Sequence, residues 1–433
     1  MAETDLGALG IAVAVFLILL DLPVGFSFLF TGIVGLIYMN GLDAALNTVG
    51  STAIQWASDY TFAAIPLFLI MGEFAHSSRI SQDLFEFGQR VLGRVPGGLA
   101  MATICACGGF AALSGSSLAT AAAMGSVSLP QMRRLGYNIS VATGTIAAGG
   151  TLGIMIPPSI PFVIIGILTG TSISQLLIAG ILPGIMLVFL YCSVLYVLCK
   201  VRPELGPPAE AYSTKEVLAA LVNVWPMLII FGSIMGGIYA GVCTPTEAAA
   251  VGAFGSFVFI FIKRRFNARQ FLPGLIQTGI TATMMLTMLI GAMIFNIFLA
   301  GTGLPDAVSA WIQALGVNRY VILAIIMIIY LIMGCLMDSL AMVILSIPFF
   351  FPIVTELGFS PILFGVLAVR GIEIGQITPP VGINVYILKG MCPDVPIEKI
   401  FKGVMPFILC DFISLPILIA IPQISLFLPT LMK

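Results

Sequence analysis

The chain carries a Pro-Pro pair inside a long apolar stretch twice, and the copies stand 222 residues apart: GTLGIMIPPSI (Gly150 to Ile160) and IEIGQITPPVG (Ile372 to Gly382). The same offset aligns Ser117-Leu118-Ala119 with Ser339-Leu340-Ala341, Pro130 with Pro352, Leu135-Gly136 with Leu357-Gly358, and Gly153 with Gly375. One spacing held without a gap from Ser117 to Pro158 marks an internal repeat. Proline lacks a backbone donor and collides with the preceding turn, so each pair breaks a helix. Two broken helices at matching positions of two hydrophobic halves point to the binding site of a transporter.

Composition names the solvent. The chain is 59% hydrophobic and 9% charged, whereas roughly a quarter of the residues of a soluble domain are charged. Apolar runs of about 20 residues, enough to cross a bilayer, recur from end to end. The fold class is therefore an all-α polytopic membrane protein in contact with lipid. Its 18 basic and 19 acidic residues offer nothing to a nucleic acid. The start, MAETDLGALG, lacks the basic residues and cleavage site of a signal peptide, so the first helix is expected to be retained. The eight cysteines lie mostly in apolar runs and act as small hydrophobes. Cys105-Ala-Cys107 has no histidine or further cysteine nearby to complete a tetrahedral metal site.

About ten spans are expected, at 6–20, 24–40, 61–76, 138–169, 175–199, 217–240, 245–262, 272–300, 360–390 and 398–428. Segments 97–130 and 318–352 are broken near the middle by Ser114-Gly115-Ser116-Ser117 and by Gly334 to Ser339, and read as two re-entrant hairpins. Lys and Arg cluster at 79/90/94, 133–134, 200/202/215, 263–265/269 and 389/399/402, which places those loops in the cytoplasm. The first hairpin then opens from the cytoplasm and the second from outside, so the repeats are inverted, and only Arg319 and Arg370 lie in the outer half. The expected division is N-terminal scaffold helices over 1–60, the first repeat over 61–199, connector and scaffold over 200–271, and the second repeat over 272–433. Stretch 41–60 differs from the spans. Stretch 78–95, where Leu84, Phe85, Phe87, Val91 and Leu92 alternate with Asp83, Glu86, Gln89 and Arg90, reads as an amphipathic interfacial helix. Segment 200–215 is a hydrophilic connector.

Ser116-Ser117 and Asp338-Ser339 stand where helices start, so each pair supplies an N-cap. A carboxylate at membrane depth costs at least ~2.5–3.5 kcal/mol, and serine caps more cheaply, so Asp338 is expected to serve a cation as well. Unwinding at the prolines frees carbonyl oxygens for Na⁺ and presents helix-end N–H groups to an anion. The expected sodium ligands are Gly115, Ser116, Ser117, Gly150, Thr151 and Gly153 in the first repeat. In the second they are Gly334, Met337, Asp338, Ser339, Gly375, Thr378 and Pro379, giving two or more ions. Glycines here also let helices pack closely, and for Gly149-Gly150 both readings stand. Ser117, Pro157, Pro158, Pro380 and Arg370 are the candidates for substrate. Arg370 and Glu373, three apart on a helix, form a neutral pair on one reading. On the other, the arginine fork reaches a substrate carboxylate. Asp21 reads as interfacial. Glu73, Glu247, Asp306 and Asp411 lie near span ends or helix starts and receive no role, Glu247 being ordinary capping chemistry. His76, the only histidine, with Ser114 and Ser116 would suit an intramembrane serine protease, which needs no second hairpin and no second break. No G-x-x-x-x-G-K-[ST] pattern occurs, so no ATP site of that kind is expected.

The strings GTLGIMIPPS (150–159), IAGILPG (178–184), Met337-Asp338-Ser339 and Gly375 to Gly382 resemble the large membrane subunit of tripartite ATP-independent periplasmic (TRAP) transporters, and the likeness covers essentially the whole chain. The resemblance implies sodium-coupled import of an organic acid across a bacterial inner membrane by an elevator movement. It also implies a periplasmic substrate-binding protein and a small four-helix membrane subunit, here expected as a separate chain. The family's substrates include C4-dicarboxylates, sialic acid and keto acids. A channel would show a continuous polar lining, whereas polarity here is concentrated at two tips and two breaks. A stand-alone sodium/carboxylate symporter is the nearer alternative.

Overall fold

A computed structural model describes residues 3–209, 212–314 and 316–432. Every regular element among them is helical. The N-terminal helices are α1 (Glu3–Leu19), α2 (Val24–Asn40) and α3 (Leu42–Ala57), followed by α4 (Ala64–Ser77) and α5 (Ile80–Leu92). The first hairpin is α6 (Gly98–Ser114) and α7 (Ser117–Arg134), and the first broken helix is α8 (Ile139–Met155) and α9 (Ile160–Thr169). Then come α10 (Ile173–Ala179), α11 (Ile181–Val201), α12 (Thr214–Tyr239), α13 (Pro245–Ile262), α14 (Ala268–Gly301) and α15 (Leu304–Ala314). The second hairpin is α16 (Arg319–Leu336) and α17 (Ser339–Glu356), the second broken helix α18 (Pro361–Ile377) and α19 (Ile383–Met391), and the chain closes with α20 (Ile397–Ala420) and α21 (Gln423–Thr430).

The offset seen in the sequence reappears in the helix ends. Both ends of α17 lie 222 residues after those of α7, and both ends of α18 lie 222 after those of α8. Helices α6 and α16 end at the same offset, as do α5 and α15, so the correspondence begins before the first hairpin. All ten expected spans are occupied by helices, with ends shifted by a few residues. Among the described residues eight helical stretches are long and apolar enough to cross a bilayer, and a ninth forms if Leu42–Ala57 and Tyr60–Ser77, bent by 53°, are one span. Helices α16 and α17 each meet that test alone.

Helices α8 and α18 are the middle of the molecule. Every residue from Val141 to Met155 is buried, and so is every residue from Leu363 to Ile377. Both helices are thus buried all round, inside the bundle, and small residues let their neighbours come close. Gly144 is the limiting case: a Cβ there would run into the backbone carbonyl of Gly403 in α20, and one on Gly403 would run into the carbonyl of Ser140. The two repeats therefore touch backbone to backbone.

The connections follow ordinary capping chemistry. Thr244 Oγ1 accepts from the Glu247 N–H at 3.3 Å while Glu247 Oε2 accepts from the Thr244 N–H at 2.8 Å, and Ser213 and Glu216 repeat the arrangement at the start of α12. Helix α5 is amphipathic as expected, but Asp83 is not on its wet face. Its carboxylate is 5% exposed and accepts from Lys263 Nζ at 3.0 Å and from both terminal nitrogens of Arg265 at 2.9 and 3.0 Å. Arg265 also donates to the carbonyls of Ser78 and Arg79. The basic loop after α13 thus pins α5 where it leaves α4. Connector residues 210 and 211 lie outside the described residues.

Candidate functional site

Each hairpin tip rests on the break of its own repeat. At the first tip Gly115 takes a left-handed φ of 61°, and a Cβ there would stand 2.8 Å from the carbonyl oxygen of Pro158. Ser116 caps α7 by accepting from the Ala119 N–H at 3.4 Å, and its carbonyl accepts from Thr120 Oγ1 at 2.8 Å. Gly153 lies directly against that carbonyl and leaves no space for a side chain. At the second tip Gly334 faces Gly375: a Cβ on Gly334 would be 3.0 Å from the Gly375 Cα, and one on Gly375 would collide with Gly334. Asp338 caps α17 with both oxygens, accepting from the Leu340 and Ala341 N–H groups at 3.3 Å. Capping is thus visible for both Ser116 and Asp338.

The breaks expose carbonyls in the way proline dictates. Pro157 and Pro158 cannot donate to Gly153 and Ile154, and the Ile154 carbonyl accepts instead from Ser159 Oγ at 2.5 Å. In the second repeat Pro379 and Pro380 leave the Gly375 and Gln376 carbonyls, and Gly375 accepts from the Thr378 N–H at 3.1 Å. In both breaks the peptide between the two prolines is cis. Pro157 and Pro158 are buried, whereas Pro379 and Pro380 are exposed. Thr151 and Thr378 turn their hydroxyls back onto Ala148 and Ile374 of their own helices. Met337 and Ser339 flank the second tip, and Ser117 Oγ is buried without a hydrogen-bond partner.

Arg370 stands apart from the tips, inside a fully buried cluster. It donates to Glu373, to Asp411 Oδ1 at 2.9 Å and to Ser414 Oγ at 2.7 Å, and Tyr191 donates to the same Asp411 oxygen at 2.6 Å. All four charged or phenolic side chains are completely shielded. The pair with Glu373 therefore exists, enlarged by Asp411, a residue to which sequence reasoning gave no role. Its partners sit 41 and 220 positions away, and no local pattern announces them.

A cavity of about 620 Å³ opens beside the first tip. Ser114 and Ser116 line it from the tip, Glu73 and His76 from the end of α4, and Gln277, Thr278 and Thr281 from α14. His76 shares this cavity with Ser114 and Ser116, but Ser114 Oγ lies 2.6 Å from Thr120 Oγ1 and makes no bond to the imidazole. A smaller cavity of about 260 Å³ lies beside the later turns of α17, lined by Asn296, Asp306, Pro348 and Pro352 among others, and does not reach the second tip. Glu73 and Asp306 thus reach a cavity wall each.

The arrangement matches known transporters. Residues 11–424 fit the family model described as the DctM component of tripartite ATP-independent periplasmic transporters. The chain is 36% identical to a C4-dicarboxylate TRAP transporter large permease protein of Pseudomonas aeruginosa, over 88% of this chain and 90% of that one. It is 31% identical to a sialic acid TRAP transporter large permease protein of Vibrio cholerae, covering 96% of each. An isethionate TRAP transporter permease protein, DctMQ, of Oleidesulfovibrio alaskensis is 33% identical over 89% of this chain and 62% of its own length. The fold resembles the crystal structure of the YdaH transporter of Alcanivorax borkumensis, with a TM-score of 0.65, 16% identity and coverage of 92% and 91%.

Proposed function

The chain belongs to the DctM family of TRAP transporter large permeases, and on that premise we propose that it imports an organic acid by sodium-coupled symport. The observation that carries the reading is the pair of tip-on-break contacts, Ser116 against Gly153 and Gly334 against Gly375. Each contact brings a hairpin whose tip carries a capping oxygen against a break where proline leaves carbonyls, those of Gly153 and Gln376 among them, without their helical donors. Such oxygens are the hard ligands that Na⁺ takes at half-helix ends. The substrate is a carboxylate of the size of a dicarboxylate or sialic acid, as in the relatives' names.

The cavity beside the first tip supports a release path. It runs from Ser116 toward the last turn of α4, three residues before Arg79, and the third and fourth turns of α14, which follows the Lys263–Arg265 cluster. Basic loops stay in the cytoplasm, so this is a cytoplasm-facing form. The smaller cavity beside the later turns of α17 stops short of the second tip, which fits an outer path closed down. An elevator movement of hairpins and broken helices against α2, α4 and α14 would exchange the two. A separate small four-helix subunit braces that scaffold in the inner membrane, and a periplasmic binding protein delivers the acid.

The test is uptake into proteoliposomes holding the large subunit, with and without the small subunit and the binding protein. A sodium gradient should drive uptake of a dicarboxylate or sialic acid only when all three are present. Uptake that ignores sodium and collapses with a proton uncoupler would overturn the coupling. Equal rates without the binding protein would favour a stand-alone symporter.

A further inference from the structure

Several polar side chains join the second repeat to the first, Asp411 to Tyr191 and Asp394 to Arg133 among them, and one of them reaches the first broken helix. Asn384 stands in the first turn of α19, just past the second break, and is fully buried. Its Nδ2 donates to the Ala147 carbonyl of α8 at 3.2 Å. That nitrogen is also 3.2 Å from where a Cβ on Gly150 would stand, and Ala121 Cβ of α7 is 2.7 Å from the same point. Three elements from two repeats therefore meet at Gly150.

Two oxygens around this meeting point lack any hydrogen-bond partner. One is Asn384 Oδ1, and the other is Ser117 Oγ, one helical turn before Ala121 on α7. A buried acceptor without a donor is uncommon and calls for an occupant. Water would satisfy it with a proton. A sodium ion satisfies it with charge, and neutral amide and hydroxyl oxygens beside an unwound helix suit that ion. The carboxamide is already oriented, because its nitrogen is fixed on Ala147 and its oxygen must point elsewhere.

We propose that Asn384 Oδ1 ligates the sodium ion of the first repeat together with Ser117 Oγ, so that the second repeat lends a ligand to the first. This rests on the sodium-coupled reading above. At the matching place in the first repeat, α9 carries Phe162, so the loan runs one way. Its consequence is coupling: an ion at the first site fixes α19, and α19 carries the second break.

The experiment measures sodium-dependent thermal stabilisation of the purified membrane complex and, in parallel, the sodium dependence of uptake. Asn384→Leu keeps the volume and removes the oxygen, and should raise the half-maximal sodium concentration about 10- to 100-fold, the scale on which ligand-shell partners act. It should also flatten the cooperativity of the sodium curve. Asn384→Asp keeps an oxygen and should hold sodium affinity at or above that of the wild type. Ser117→Ala should shift the same curve even if Asn384→Leu fails to fold. Leu, Asp and Ala variants that lower stability without sodium yet leave the half-maximal concentration unchanged would overturn the proposal and leave sodium coupling intact. A wild-type protein with no sodium response at all would remove the coupling reading itself, and the loan with it.

Discussion

The two broken helices share a backbone plan and hold it by different chemistry. Over fifteen consecutive buried positions, α8 carries alanine, threonine and isoleucine where α18 carries Arg370, Glu373 and Gln376. At the offset of 222 residues, Ala148 answers to Arg370, Thr151 to Glu373, and Phe189 to Asp411. The first break is packed, with buried prolines and a serine at its tip, while the second has exposed prolines and an aspartate. Close glycine contacts fix distance and tolerate no side chain. Buried charges fix direction, since a guanidinium shared between two carboxylates has few acceptable orientations. The same transporter half can therefore be made rigid in one copy by removing atoms and in the other by pairing charges.

The largest expected effect tests the charged side of that comparison. Arg370→Leu leaves Glu373 and Asp411 buried without their cation, a loss of about 3–5 kcal/mol that should appear as failure to recover folded protein. Replacing all three, Arg370→Met with Glu373→Leu and Asp411→Leu, should recover folding, because apolar packing replaces such triads well. A triple variant no better than the single one would mean that the charges do more than hold α18 against α20 and α11.

Next come the glycines. Gly153→Ala and Gly375→Ala each force a methyl into an occupied tip contact, costing about 1–3 kcal/mol. Both should lower uptake sharply with the complex still assembled, as measured by initial rates. If only Gly153→Ala does so, the second contact is slack and the symmetry of the tips is broken.

Asp338→Asn keeps a cap, because asparagine caps about as well as aspartate, and removes the charge. The half-maximal sodium concentration for uptake should rise while the melting temperature holds. Ser116→Ala should instead cost about 1 kcal/mol of stability as an ordinary lost cap. An unchanged sodium curve in Asp338→Asn would reduce that residue to a cap as well.

The smallest effect lies at the surface. Arg133 at the end of α7 donates to Asp394 at 3.0 Å, and that bond holds the Asp394 carboxyl below its usual range. A lowered carboxyl stabilises the folded form above the ordinary carboxylate range and loses that effect as the pH falls through its lowered value. Asp394→Asn should therefore match the wild type in strong acid and differ slightly at neutral pH, by thermal melts at both. Exposed pairs are worth little, and high salt should erase the difference.

Spacing made the repeat legible, because proline pairs and small residues keep their places in a chain otherwise free to exchange one apolar residue for another. It also located both tips, since Ser116 and Asp338 cap helices by local rules. Asp83 was not legible: helical projection puts it on a polar face, and the Lys263 and Arg265 that cover it arrive 180 and 182 positions later. Asp411 was hidden for the same reason, being an isolated acid in an apolar run whose arginine lies in another helix. Asn384 carried a weak signal, a polar side chain two residues past Gly382 in a stretch that should be buried.

The contact between Gly144 and Gly403 has a mechanical meaning. Two main chains in direct touch leave no side chains to re-rotamerise, so that seam has one register and no sliding mode. Helices α8 and α20 come from different halves of the sequence, yet they behave as a single welded piece. Whatever displacement carries a solute through this molecule must therefore shear along softer borders, and the cavity between α7 and α14 marks one of these.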